Sequence, residues 1–162
     1  MNKILFLIII LTFTSCRYFN VSPVNGITTK NLSEKPKTEE LTGKWKLDKF
    51  GYELVNEKGY ETKNIELNIK SDGSFIAQNI PNFINVFTES KTKEFLNSNG
   101  SWKIEKDFSD EKYVLGLNFE KSNLDKDGFS VEFELYEEND KIILWYFLGD
   151  PDSGERILFR KE

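Results

Sequence analysis

Few side chains in this sequence are suited to catalysis. The chain of 162 residues contains no histidine and a single cysteine, Cys16. Histidine-based triads and histidine-ligated metal sites are therefore excluded. The sequence also lacks a Gly-x-Ser-x-Gly elbow and a glycine-rich phosphate loop. It does contain 27 carboxylates, but in a set that large some pair will resemble a glycosidase pair by chance. We expect no catalytic residue, no cofactor and no enzymatic activity.

One acidic segment matches most of a calcium-loop pattern. It has the EF-hand spacing, with asparagine in place of the first aspartate, at Asn123, Asp125, Asp127, Gly128 and Glu134. Residues 129–135 alternate as a strand, which would carry Glu134 roughly 20 Å from Gly128 and away from any shared ion. We therefore predict a polar hairpin loop. The acidic residues Asp150, Asp152 and Glu155 are interpreted as part of a turn in the same way, and we expect no metal site.

The N-terminus has the features of an export signal. Asn2 and Lys3 precede an apolar run over residues 4–11, which is far shorter than the roughly 20 residues that span a bilayer. Residues 1–15 are therefore predicted to be a signal peptide. The run ends in Phe13-Thr14-Ser15-Cys16, which resembles the lipobox of bacterial lipoproteins, with Phe13 where that family usually has leucine.

This resemblance implies that Cys16 is the acylated N-terminus of the mature protein and that its partner is the lipid bilayer. A lone cysteine in an exported protein agrees with that role, and several acyl chains give stable anchoring. A cysteine that follows an ordinary signal peptide by chance is the alternative. Arg17, in place of aspartate, resembles lipoproteins sent to the outer membrane, and no acidic surface-export run follows. We expect a lipid-anchored protein of the bacterial cell envelope that faces the periplasm.

Residues 16–40 are predicted to be a flexible tether. They contain Pro23, Gly26 and Pro36 in a polar background without sustained periodicity. A chain of this kind would hold the folded domain roughly 25–30 Å from its anchor.

Residues 41–162 are predicted to form one all-β domain. Alternation of apolar and polar residues starts at Trp45 and Leu47 and recurs to the end of the chain. The pair Asp72-Gly73 between alternating runs predicts a hairpin, and residues 149–154 predict a turn. About eight strands at this spacing predict an antiparallel sandwich or barrel.

One segment of the domain departs from the strand pattern. Between Asn79 and Asn97, four apolar residues follow the i, i+3, i+4, i+7 spacing of a helix, namely Ile80, Phe83, Ile84 and Phe87. With Asn79 as a possible N-cap, we predict one short helix here across an end or the side of the barrel. An irregular strand is the alternative.

The motif Leu41-Thr42-Gly43-Lys44-Trp45 opens the domain, and its Gly-x-Trp part recurs at Gly100-Ser101-Trp102. Together with the lipobox, this pattern resembles the small lipocalin-like lipoproteins of Bacteroidota-type bacteria. The resemblance covers most of residues 41–162 and implies a lipocalin-like barrel, an antiparallel meander of about eight strands. It does not imply a substrate.

Two non-catalytic functions remain open. The first is binding of a small apolar ligand inside an eight-stranded barrel. Bulky side chains that point inward would instead fill the interior, and we expect the following residues to do so: Trp45, Leu67, Phe75, Trp102, Tyr113, Phe119, Phe133 and Phe159. The second is a protein-interaction or envelope-assembly module, of an inhibitor or immunity type, that uses its outer surface. The formal charge is -5 and no basic stripe occurs, so we expect no nucleic-acid partner.

The strand over residues 141–148 is apolar on both faces. Its residues Ile143, Trp145 and Phe147 should point outward, together with Leu158 of the next strand. A strand that is apolar on both sides is expected to be covered on both. We predict that the segment 79–97 covers part of this outer patch and leaves Trp145 or Phe147 near the surface, with a partner protein as the alternative cover.

Overall fold

The structure, a computed structural model, describes residues 29–61, 63–85, 93–107, 112–122, 127–149 and 155–162. Its strands are β1 (Thr29–Asn31), β2 (Gly43–Leu47), β3 (Glu66–Ile69), β4 (Ser74–Pro81), β5 (Phe95–Asp107), β6 (Lys112–Phe119), β7 (Phe129–Glu138), β8 (Lys141–Phe147) and β9 (Arg156–Lys161). Its helices are α1 (Thr38–Leu41), α2 (Lys49–Glu57) and a 3-10 turn at Asn82–Ile84.

The strands β2 to β9 form a closed antiparallel barrel of eight strands. Each strand pairs with the next along the chain. Pairing of β9 with β2, for example Phe159 opposite Leu47, closes the barrel. This arrangement confirms the predicted all-β, lipocalin-like meander of about eight strands.

The barrel has two ends, which we name after the helices beside them. The α1 end carries the β3–β4 and β7–β8 hairpins together with the start of β2 and the last residues of β9. The α2 end carries the end of β2, the start of β9 and the 3-10 turn between β4 and β5. A strand of ten residues such as β7 extends about 33 Å, so the two ends are well separated.

The predicted inward face is confirmed. Six of the eight residues named for it are at most 5% exposed: Trp45, Leu67, Phe75, Phe119, Phe133 and Phe159. Trp102 and Tyr113 are half-buried and pack against the same cluster. The repeated Gly-x-Trp motif also has a common geometry, since Trp45 Nε1 donates to Leu41 O and Trp102 Nε1 donates to Lys70 O, each at 2.8 Å. Each indole thereby satisfies a backbone carbonyl near the α1 end.

Ordered structure begins before residue 41, which corrects the predicted boundary between tether and domain. β1 pairs with the end of β7, Leu32 packs against the core, and Leu41 is fully buried. The Lys37 amide donates to Glu40 Oε2 at 2.6 Å and starts α1. Pro36 and the polar residues around it, which suggested a tether, instead form a segment that lies against the α1 end. Residues 16–28, including Cys16, lie outside the described part of the chain.

The helix predicted between Asn79 and Asn97 is wrong wherever this segment is described. β4 continues to Pro81 and only a 3-10 turn follows, while β5 has begun by Phe95. Asn79 has a positive φ of 52° at a shift in the β4–β5 register, and this irregularity produces the helix-like spacing of apolar residues. A proline also keeps the residue before it extended, which argues against a helix through Ile80. Residues 86–92 lie outside the described part.

Helix α2 was not predicted from the sequence. Asp48 caps it, since its Oδ1 accepts from the Gly51 amide at 2.7 Å, and Leu54 and Val55 form its buried side. The sequence signals were an aspartate in a capping position and apolar residues at helical spacing. Gly51 weakens the helix pattern because glycine disfavours helix interiors. The structure shows why a glycine is needed here, since a Cβ at this position would lie 2.7 Å from Leu47 Cδ1. The glycine lets α2 approach β2 closely.

Candidate functional site

The interior of the barrel, where a ligand was considered, is occupied by side chains. The rings of Phe75 and Phe119 meet edge to face with centroids 4.9 Å apart. Those of Phe133 and Phe159 do so at 5.8 Å. These four rings belong to one continuous cluster of buried residues that also contains Trp45. Within the described residues, the interior is thus a packed core.

The depressions found among the described residues lie on the outside of the barrel. One of about 680 Å³ lies over β4 and β5 and is lined by residues such as Ile76, Gln78 and Asn99. Another, of about 330 Å³, lies between the segment 32–37 and the β7–β8 hairpin. The first depression also reaches Phe75 and Ala77, which are at most 1% exposed, so its floor is formed by the packed core.

The α2 end is closed by an aromatic cluster with polar partners. The ring of Tyr60 packs edge to face against Phe83 at 5.3 Å and Phe95 at 5.5 Å. Its hydroxyl donates to the buried Asn82 Oδ1. Ile80 and Ile84, which were predicted to lie on an outer patch, instead join the core at this end. The 3-10 turn therefore closes the barrel mouth.

Three lysines surround that cluster. Lys63 Nζ lies 4.5 Å from the centroid of Phe95, Lys93 Nζ lies 5.2 Å from that of Tyr60, and Lys58 Nζ lies 5.9 Å from that of Phe83. Lys58 also pairs with Glu155 at 2.7 Å. Cation–π contacts of this kind stabilise the cluster, in which Tyr60 and Phe95 are buried and Phe83 is half-buried, and they place three cations at the α2 end.

The predicted outer apolar cluster on β8 and β9 is confirmed, but the described part of its predicted cover lies elsewhere. Ile143, Trp145 and Leu158 form a second cluster outside the barrel, with Phe147 half-buried beside it. Trp145 is only 2% exposed, so it does not lie near the surface. The described part of the segment 79–97 packs on the inner core. Phe87 lies outside the described residues.

Arg156 and α2 provide the cover instead. The guanidinium of Arg156 lies 4.5 Å from the ring of Trp145 and 4.8 Å from that of Phe50, the second residue of α2. This arginine is 1% exposed. Burial lowers the pKa of its guanidinium, and the nearby Asp48 carboxylate opposes that shift. Burial likewise raises the pKa of Asp48, although its hydrogen bond from the Gly51 amide acts the other way. The sequence analysis did not identify Arg156 or Asp48 as functional candidates. The one sequence feature that could have indicated Arg156 is its position as a charged residue at the start of an apolar strand.

A polar network lies on the outer face of β6 and β7. Tyr136 OH donates to Glu134 Oε2, and Lys112 Nζ lies 3.3 Å from the same oxygen. Burial, followed by the hydrogen bond to Glu134, raises the pKa of Tyr136 to about 12. Burial alone would lower the pKa of Lys112, but Tyr136 and Glu134 outweigh it and raise that pKa. Both pKa values move away from neutrality, whereas general acid–base catalysis needs values near the working pH.

We expect Tyr136 to ionise last among the three tyrosines whose pKa is raised, namely Tyr60, Tyr136 and Tyr146. Because the folded pKa lies above the unfolded value, this group stabilises the fold fully below a pH of about 10. The contribution is lost as the pH rises through about 12. An absorbance titration of phenolate formation checks this, and Tyr136→Phe should remove the late component. Tyr113→Phe, a half-buried control on the neighbouring strand, should leave it. A late component that survives Tyr136→Phe would contradict the assignment.

The structure describes only part of the two acidic segments that the sequence analysis considered as metal sites. Residues 123–126 and 150–154 lie outside the described residues, and Glu134 lies on strand β7, as predicted. In the described ranges, no group of acidic or cysteine side chains is arranged to hold a metal ion. No helix in those ranges has both the length and the apolar character needed to cross a membrane.

Comparison with known proteins gives no relative for this chain. No protein family, no curated protein and no solved structure matches it.

Proposed function

We propose that this protein is a non-catalytic lipoprotein of the bacterial envelope whose barrel binds a protein partner through its outer surface. The observation that carries the proposal is the filled interior. Trp45, Phe75 and Phe133 are each at most 1% exposed in one continuous core. Because side chains occupy the interior of the barrel, a binding partner would have to be recognised by the outer surface.

The outer surface of β7 and β8, together with the barrel mouth at the α2 end, offers a contact region for a protein. Phe147 and Tyr136 are half-buried beside the covered Trp145, and the aromatic rings at the barrel mouth are bordered by lysines. Aromatic residues within a polar surround are typical of the central part of protein interfaces. The half-buried side chains are therefore where we expect the partner to bind.

Anchoring is proposed through acylation of Cys16. It is supported by the short apolar leader and the lipobox resemblance at residues 13–16. The expected location is the outer membrane, on its periplasmic face. The non-catalytic part of the proposal is supported by the absence of histidine from the sequence and by the direction of the Tyr136 and Lys112 pKa shifts.

A second candidate function, binding of a small apolar ligand, is favoured by the closed eight-stranded barrel itself, since lipocalin-like barrels of this size can hold one small ligand. It requires core rings such as Phe75 or Phe133 to move aside. The energetic cost of rearranging a close-packed interior places this candidate second.

Native mass spectrometry of the full chain, extracted from its own membrane in mild detergent, separates the two functions. We expect acyl chains on Cys16, a co-purifying protein and no small apolar molecule. A photo-crosslinker at Phe147 should link to that protein, while one at Ser101, an exposed control on β5, should not. A tightly held small molecule would support the ligand function instead. A free Cys16 thiol in the soluble fraction would contradict anchoring.

A further inference from the structure

The chain enters the barrel at one defined end. Thr29, the first described residue, lies opposite Glu138, the last residue of β7. β1 then runs inward along β7, so that Asn31 lies opposite Tyr136. The point at which the preceding chain leaves the fold is therefore at the rim of the α1 end.

The segment that follows is fixed to this end by several contacts. Lys161 Nζ donates to the carbonyls of Glu39 and Glu40 at 3.1 and 2.9 Å. Trp45 Nε1 donates to Leu41 O, and Leu41 is fully buried. Because these contacts join the segment to both β2 and β9, Thr29 cannot move to the other end without unfolding part of the barrel.

Only residues 17–28 separate Cys16 from that point. A tether of 12 residues with random-coil dimensions has an r.m.s. length of about 20 Å. The barrel is longer than that, since the ten residues of β7 extend about 33 Å and, tilted by roughly 40°, still rise about 25 Å along the barrel axis. An anchored domain therefore keeps the α1 end close to the bilayer, and the α2 end lies beyond the average reach of the tether.

We propose that the α1 end faces the bilayer and that the α2 end, with its aromatic and lysine cluster, points away from it. This inference rests on the proposed anchoring through Cys16. It adds an orientation to that function, because a partner would meet the α2 end first and the β7–β8 hairpin would be on the side of the lipid headgroups.

Fluorescence quenching on vesicles tests this orientation. The full-length acylated protein would carry a thiol-reactive fluorophore at Lys141→Cys, at the α1 end, or at Glu57→Cys, at the α2 end. Both positions are exposed. The vesicles contain phosphatidylethanolamine, phosphatidylglycerol and a lipid with a nitroxide on its headgroup. We expect quenching at position 141 to exceed that at position 57 at least about threefold, since the tether is shorter than the barrel.

Two controls separate orientation from anchoring. Cys16→Ser should abolish vesicle binding and quenching at both positions. A glycine-serine insert of about 24 residues before Thr29 raises the r.m.s. tether length to about 33 Å and should reduce the difference between the labels. Protein that binds vesicles but shows equal or reversed quenching would overturn the orientation alone. Acylated protein that does not bind would overturn both the anchoring and the orientation.

Discussion

Replacing Trp45 with alanine should lower the free energy of unfolding by about 4 kcal/mol, as large aromatic deletions in a close-packed core do. The indole is fully buried and belongs to the core cluster. The substitution leaves a cavity and also removes the donor to Leu41 O. That carbonyl belongs to the last residue of α1, where intrahelical partners are missing. Urea unfolding followed by circular dichroism measures the loss.

Trp102→Ala is the matched control for this prediction. Trp102 has the same Gly-x-Trp context and the same indole-to-carbonyl bond length, but its ring is only half-buried. We expect it to cost about 2 kcal/mol, because less apolar surface returns to water and a smaller cavity remains. Equal losses for the two variants would show that the hydrogen bonds, rather than the burial of the rings, dominate.

Gly100→Ala should destabilise the barrel by about 3 kcal/mol or more through overpacking. Gly100 lies on β5 between Phe75 on β4 and Phe119 on β6. A Cβ built there would lie 1.9 Å from the carbonyl oxygen of Asn118 and 2.8 Å from Phe75 Cε1. The carbonyl can move only if the β5–β6 pairing is disrupted, so the strain cannot be relieved locally.

Gly116→Ala controls for the general effect of adding a methyl group to a strand glycine. Its Cβ would point to the outer side of β6, and its nearest neighbour is the flexible end of Glu105, at 3.2 Å. We expect a change within about 0.5 kcal/mol. Thermal melts of both variants measure the difference in stability. A Gly100→Ala protein as stable as Gly116→Ala would contradict the close approach at β5.

The parts of the fold that depend on local alternation could be predicted from the sequence. Period-two patterns identify the buried face of a strand because successive side chains point to opposite faces, and this placed Phe133 and Phe159 correctly. The hairpin at Asp72-Gly73 was likewise correct, since Gly73 has a φ of 84°, which only glycine adopts readily.

The errors arose where tertiary contacts overrule local pattern. Ile80, Phe83 and Ile84 have helical spacing, but their backbone pairs with β5 and then turns to close the barrel mouth. Thr29–Asn31 has no strand pattern of its own and is extended because β7 offers unpaired backbone groups. Whether the interior is hollow or filled could not be predicted either, because it depends on how eight strands tilt and stagger.

The pairing of β2 with β9 has a consequence for the order of folding. Trp45 and Lys161 lie opposite each other although more than 100 residues separate them along the chain. Forming such a contact requires closure of a loop nearly as long as the domain, and topologies with many long-range pairings fold slowly. The barrel cannot close until β9 is available, so during synthesis one edge of β2 stays unpaired while the strands between β2 and β9 are made. That open edge is a site where a second chain could add a strand before the barrel closes.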